Sequence, residues 1–247
     1  AYRGLGQDIF QLFPQLHSYF EKKVPNMSEF VGSKYLHPKT QTEDSTPPNI
    51  HQDAIAMMSA GVFSSAIYTH ILRSYFKLEP EIAFGYSMGE SASMWYSLNV
   101  WSPSRTSIFR NSNLFQTEFS GELNLLAKVW NTSSQEAQNR WVSLILLAPR
   151  AKVEALVASY NKAYVSFINT NNEVIISGDK NTCQSIVNQL KCHSVEVPFK
   201  NIIHHDFCKM AHDELIEMHE FPLEEKPNID FYSSINLAKL PFDSKTI

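Results

Sequence analysis

The sequence predicts an α/β protein built in two parts, and three observations carry that prediction. A short apolar run, Ile82-Ala83-Phe84, leads into the glycine-flanked serine Gly85-Tyr86-Ser87-Met88-Gly89 and then a helical pattern to Leu98. That is a strand, a sharp turn and a helix. Further on, 139–200 alternates strand and helix patterns in the order β-α-β-β-α-β, the split arrangement of a ferredoxin-like subdomain. Finally, 247 residues with 43% hydrophobic and 19% charged side chains fit a core domain carrying an inserted subdomain.

The elements follow in order. Ile9, Phe10, Phe13, Leu16 and Phe20 recur at helical spacing, so Asp8–Lys22 reads as an amphipathic helix interrupted at Pro14. Gly32–Asn49 is polar and proline-containing, a loop. Gln52–Phe76 reads as a long helix with a broad apolar face, and Leu114–Trp130 as another. Val142–Leu147 is a buried-type strand and Ala151–Tyr160 is helical. Tyr164–Asn169 and Glu173–Ser177 are strands joined by Thr170-Asn171-Asn172, the second ending at Gly178. Thr182–Leu190 is helical and Ser194–Phe199 a further strand. Helix resumes over Asp206–Met218, and Ile229–Ser233 is the last strand. The large domain is expected at 1–138 and 201–247, the small one at 139–200. Both ends read as cut from a longer polypeptide.

Composition excludes several roles. Net charge is −4 with no basic cluster, which argues against nucleic acid and against a membrane surface. Apolar runs such as Val142–Ala148 are much shorter than a bilayer span, so no membrane insertion is expected. Cys183, Cys192 and Cys208 have no metal-ligand spacing and leave one thiol over, as in a reducing compartment. The expected location is cytoplasmic, with no metal and no redox cofactor.

The chemistry centres on Ser87. A nucleophile on so tight a turn needs small residues two before and two after it, here Gly85 and Gly89. The following helix presents its first N–H groups, and the Met88 N–H can receive a developing oxyanion. Serine needs a base. His204-His205, after the last strand of the small subdomain, is the candidate pair; the other seven histidines lie in helical or polar settings.

Gly85–Glu90, read GYSMGE, resembles the G-H-S-x-G-E elbow of malonyl-type acyl-carrier-protein acyltransferases of fatty-acid and polyketide synthases. The similarity is ordered along the chain. Tyr2–Phe10 looks like the helix after the family's opening G-Q-G-S-Q. Ile168-Asn169 and Val174–Gly178 are similar to its N-x-P…V-V-S-G strands. Ile202-Ile203-His204 is similar to its A-F-H, and Tyr232–Asn236 to the strand that follows. The acyltransferase subunit of bacterial polyunsaturated-fatty-acid synthases resembles it in particular, pairing a GYS-type elbow with Ser-Gly-x-Leu. The resemblance implies an α/β-hydrolase-like large domain and acyl transfer through an acyl-Ser87 intermediate. Its implied partners are acyl-CoA or another acyl thioester, acyl carrier protein and other megasynthase subunits. Counting from Phe199 makes His204 the base, while anchoring on Met210 makes it His205.

Three departures bear on substrate. Tyr86 replaces the family's His beside the nucleophile. Ser120-Gly121-Glu122-Leu123 stands where malonyl-specific members hold the substrate carboxylate with an Arg in R-G-x-L, so a neutral acyl group is expected, unless Arg105 or Arg110 substitutes. The oxyanion Gln of G-Q-G-S-Q and the carbonyl that orients the base have no counterpart among the 247 residues. Two other functions compete: a serine thioesterase or esterase, for which Asp206, Asp213 or Asp230 would have to hold the His, and a non-catalytic docking domain of a megasynthase.

Overall fold

The computed structural model describes residues 2–24, 26–30, 32–37, 49–102, 107–224 and 226–243. Six strands occur among them: β1 (Ile82–Phe84), β2 (Trp141–Leu147), β3 (Ala163–Thr170), β4 (Glu173–Asp179), β5 (His193–Glu196) and β6 (Asp230–Tyr232). The chain divides into two compact units, Ala1–Asn111 with Asp213–Ile247, and Ser112–His212.

In the first unit the interrupted helix forms as Gln7–Leu12 and Gln15–Lys23, with Pro14 between them. The long helix runs Ala54–Ser74. Asp53 caps it by accepting the Ala56 N–H at 2.8 Å, and Tyr35 Oη donates to the other carboxylate oxygen at 2.8 Å. By length and composition this helix could cross a membrane, a longer apolar stretch than the 142–148 run the sequence reading singled out. Its composition has a core explanation. Val62, Phe63, Ile67 and Ile71 pack with Leu16, Phe20, Trp95, Trp101 and Phe231 in one buried cluster. Trp95 lies 4.6 Å from Phe231, ring to ring. This places β6, and β1 beside it, against the core.

β1 and β6 pair in parallel, Ile82 with Asp230 and Phe84 with Tyr232. Their carboxyl ends therefore lie at the same edge, where the elbow leaves β1 and the loop Ser233–Asn236 leaves β6. In open α/β sheets that edge is where sites are built.

The second unit contains the ferredoxin-like motif. Its sheet order is β3-β4-β2-β5 with every neighbour antiparallel. Helices Arg150–Val157 and Lys180–Leu190 cover one face, where Val142, Leu144, Leu146, Val174 and Ile176 meet Val153, Ile186 and Val187. The unit is wider than 139–200. Trp130 Nε1 donates to Tyr164 Oη at 3.1 Å, Arg140 Nε to Asp179 at 2.7 Å, and Trp141 Nε1 to the Asn201 carbonyl at 3.0 Å. These bonds fasten the preceding helices and the His-bearing loop to the sheet.

Several boundaries differ from the expectations. The 114–130 helix is broken: a π-helical turn, Leu114–Glu118, is followed by an irregular stretch and then Asn124–Trp130. Gly121 (φ 57°) and Leu123 (φ 54°) take left-handed conformations that no continuous helix accommodates. β4 runs through Gly178, β5 ends at Glu196, and the 206–218 helix opens as a 3₁₀ turn, Asp206–Ala211, before His212–His219. Ser134–Arg140 is a helix the sequence reading did not assign. The Gly32–Asn49 loop holds a short helix, Ser33–Leu36, and its 38–48 portion lies outside the described residues, as does Arg105. Arg110 lies in the helix Ser107–Asn111.

Candidate active site

Ser87 sits at φ 53°, in the left-handed region, between β1 and a π-helical turn, Gly89–Ser93. For a residue with a Cβ that conformation costs about 1–3 kcal/mol and persists only where the surroundings impose it. They do so here. A Cβ on Gly85 would lie 2.0 Å from Gly89 C and 2.2 Å from Glu90 N, so strand and helix approach backbone to backbone. Ser87 O accepts the N–H groups of Glu90 and Ser91 at 3.0 Å each, closing the turn. Gly89 differs from the expectation: a Cβ there would meet nothing within 4 Å. The elbow is thus tight on one side only. Met88 (φ −56°, ψ −24°) heads the helix, as an oxyanion-binding N–H requires. Tyr86 is exposed by 55%.

Glu90 fixes the elbow to the sheet. Its Oε2 accepts the Ser234 N–H at 2.9 Å and the Ser234 hydroxyl. Burial raises its pKa, but hydrogen bonds from Ser233 and Ser234 outweigh this and the net shift is downward.

The two histidines, in the second unit, have unlike surroundings. His205 is enclosed by aromatic rings: Trp141 at 5.2 Å and Tyr164 at 5.5 Å meet it edge-on, and Phe207 stacks on it at 5.0 Å. Its Nε2 is 3.3 Å from Ser166 Oγ. Burial chiefly, with the neighbouring His204, pushes its pKa down to about 4. His204 packs on Phe167, ring to ring at 4.1 Å, and burial lowers its pKa below the ordinary imidazole value. A neutral imidazole at pH 7 is the form a general base needs. The loop carrying the pair is anchored on both sides: the Ile202 N–H donates to Phe119 O at 2.9 Å, and Cys208 Sγ donates to Ile202 O at 2.8 Å.

No known family profile matches this chain. It is similar to a polyunsaturated fatty acid synthase polypeptide of Thraustochytrium, 24% identical over 251 residues, which is 97% of this chain and 12% of that protein. Among solved structures, the acyltransferase domain from the second module of the salinomycin polyketide synthase matches with TM-score 0.69. That match has 13% identity, over 100% of this chain and 53% of the other. The malonyl-CoA:acyl carrier protein transacylase of Helicobacter pylori gives TM-score 0.69 and 16% identity, over 96% and 71%.

The chain has the acyl-carrier-protein acyltransferase fold.

Within that fold the remaining candidates separate clearly. Asp206 is exposed and paired with Lys209 at 2.8 Å, its carboxyl held low by that partner. Asp230 pairs with Lys239 at 2.6 Å and starts β6, opposite Ile82, at the end of the strand away from the elbow. Neither is arranged as a triad acid. Asp213 opens the helix His212–His219. Ser120, expected to line the substrate pocket, is 4% exposed and donates its hydroxyl to the Phe115 carbonyl. It closes the end of the π-helical turn. Cys183 and Cys208 are buried, with thiols pushed up to about 12 and about 11, and the described residues hold no cluster of metal ligands.

The sequence reading missed Glu90 and Ser166. Glu90 was legible as the last letter of GYSMGE, but its partner is 144 residues away. Ser166 gave no signal of its own.

Proposed function

We propose that this chain is an acyltransferase that moves an acyl group between CoA or carrier-protein thioesters through an acyl-Ser87 intermediate. Ser87 Oγ attacks the thioester carbonyl while His204 Nε2 or Nδ1 takes its proton. The Met88 N–H steadies the tetrahedral oxyanion, whose collapse expels the thiolate, and the thiolate leaves as a thiol with the proton from the imidazolium. A second pantetheine thiol then attacks the Ser87 ester by the same steps in reverse. His204, not His205, is the base in this reading, since His205 is committed to its aromatic enclosure and to Ser166.

The observation that carries the proposal is Ser87 held at φ 53° on a strand-turn-helix junction. Beside it, Gly85 has no room for a Cβ, which is the tight junction that an exposed serine nucleophile needs. Of the acids that a hydrolase could use to hold its His, Asp206 and Asp230 are engaged elsewhere, by Lys209 and Lys239. Biosynthesis of polyunsaturated fatty acids or polyketide-like chains, with an acyl carrier protein as partner, is the setting the relatives' names support, and the cytoplasm is the compartment that goes with it. A neutral acyl group is the cargo that the resemblance suggests, since Ser120 stands where malonyl-specific members carry an Arg.

Intact-mass spectrometry after incubation with acetyl-, butyryl- and malonyl-CoA tests this. A single acyl adduct that Ser87→Ala abolishes is the expected result, and the neutral thioesters should load at least tenfold faster. An adduct that persists in Ser87→Ala removes the nucleophile. Partition of the adduct to water in preference to a pantetheine thiol would make the protein a hydrolase.

A further inference from the structure

β3 does not follow β4 residue for residue. Val165 pairs with Ile176 and Phe167 with Ile175, so Ser166 is an extra residue, a β-bulge. In a regular strand, 166 and 167 would point to opposite faces of the sheet. The bulge lets two consecutive side chains serve one face, the face away from the covering helices. There Ser166 reaches His205, and Phe167 reaches His204. Ser166 is also bound behind: its Oγ lies 2.6 Å from Ser177 Oγ, which lies 2.7 Å from Ser143 Oγ. Ser143 and Ser177 are direct cross-strand partners on β2 and β4. Three hydroxyls from three adjacent strands thus form one line ending at the His205 ring. Ser177, in the middle, is 2% exposed, so its hydroxyl has little recourse to water if the line is broken.

We propose that the bulged Ser166, with Ser177 and Ser143 behind it and His205 before it, is a positioning device that holds the His204 imidazole for proton transfer. The inference rests on His204 being the base. Ser166 touches neither substrate nor Ser87 chemistry in this scheme; it acts through His205 and the short backbone link to His204. Phe167, delivered by the same bulge, packs on the His204 ring. The sequence cost of the device is small, one serine inserted in a strand, and its effect is to let the sheet grip both members of a His pair.

The test compares Ser166→Ala, Ser166→Thr and His205→Gln with the unaltered chain, reading single-turnover loading of Ser87 by acetyl-CoA against pH. Ser166→Ala is expected to slow loading about tenfold with the half-saturating thioester concentration unchanged within twofold. The acid limb of its pH profile should move up towards the ordinary imidazole value as His204 gains solvent. Ser166→Thr, which keeps the hydroxyl, should restore both rate and profile, and His205→Gln should fall between. Loss of folded protein alone would lower the amplitude and leave the profile in place. Histidine labelled with ¹³C in the ring supplies a reading independent of catalysis: Ser166→Ala should shift the His205 signal and broaden that of His204. If Ser166→Ala loads with the rate and pH profile of the unaltered chain, the device is refuted while acyl transfer stands. If the unaltered chain forms no acyl-Ser87, the acyltransferase reading falls, and unchanged ring signals in Ser166→Ala would then refute the device as well.

Discussion

The two units hold their candidate site residues by opposite means. In the first, Ser87 is placed by its backbone: a left-handed φ, a glycine with no room for a Cβ, and two short parallel strands. In the second, His204 and His205 are placed by side chains, on a complete antiparallel sheet whose aromatic rings and hydroxyls enclose them. A strained backbone tolerates almost no change at a few positions and wide change elsewhere. A packed cage spreads its tolerance over many residues, each contributing a little.

Substitutions can break that comparison. Gly85→Ala should be the most damaging, since its Cβ would meet backbone atoms at 2.0–2.3 Å. The loss should be about 3 kcal/mol or more of stability, with no acyl-Ser87 formed, read by denaturant unfolding and mass spectrometry. A mild Gly85→Ala would mean that the elbow relaxes and the strain account is wrong. Next, His205→Ala should cost about 2–4 kcal/mol by emptying the cage. His204→Ala should leave stability within about 0.5–1 kcal/mol yet slow loading by about 10²–10⁴-fold. Equal and small losses from both would remove the distinction between the two histidines.

Acid should weaken the second unit through His205. Its folded pKa is about 4 against 6.5 unperturbed, so between those values the unfolded chain binds the extra proton. Stability from this group is therefore complete above pH 6.5 and lost as pH falls towards 4, at up to about 1.4 kcal/mol per pH unit. His205→Phe should flatten that part of the profile in urea melts at stepped pH. Glu90, whose pKa is lowered, adds its own loss at more acid pH.

Smaller effects sharpen the contrast at the elbow. Ser87→Gly should raise stability by about 1 kcal/mol while abolishing the adduct, because glycine adopts the left-handed conformation without penalty. Gly89→Ala should be neutral or stabilising by less than about 1 kcal/mol, and active. Thermal midpoints and loading rates measure both, and a destabilising Gly89→Ala would restore the symmetric elbow that the motif suggested.

The same contrast explains what could be read from residues alone. The β-α-β-β-α-β order was legible because each strand and helix there is longer than three residues and strongly patterned, as the apolar run of Trp141–Leu147 is. Ser87 was legible because the elbow's constraint lies within five consecutive residues. The break at Ser120–Leu123 was hidden, since no local pattern announces that Leu123 adopts φ 54°. Gly89 was over-read, because a motif records a residue without recording the space around it. The difference between His204 and His205 depends on Trp141, Tyr164 and Phe167, which sequence separation conceals.

The Glu90–Ser234 link joins residues 144 apart, and β1 pairs with β6 across a slightly longer separation. Between them lies Ser112–His212, whose strands β2 to β5 all pair within that unit. Ribosomes release polypeptide from the amino end, at about 5–20 residues per second. The inserted unit can thus be assembled while the segment around Ser87 still lacks its second strand and its carboxylate tether. Closing so long a loop is slow compared with forming a local hairpin. The contacts that tie the Ser87 turn to β6 can therefore form only after residue 234 has been made.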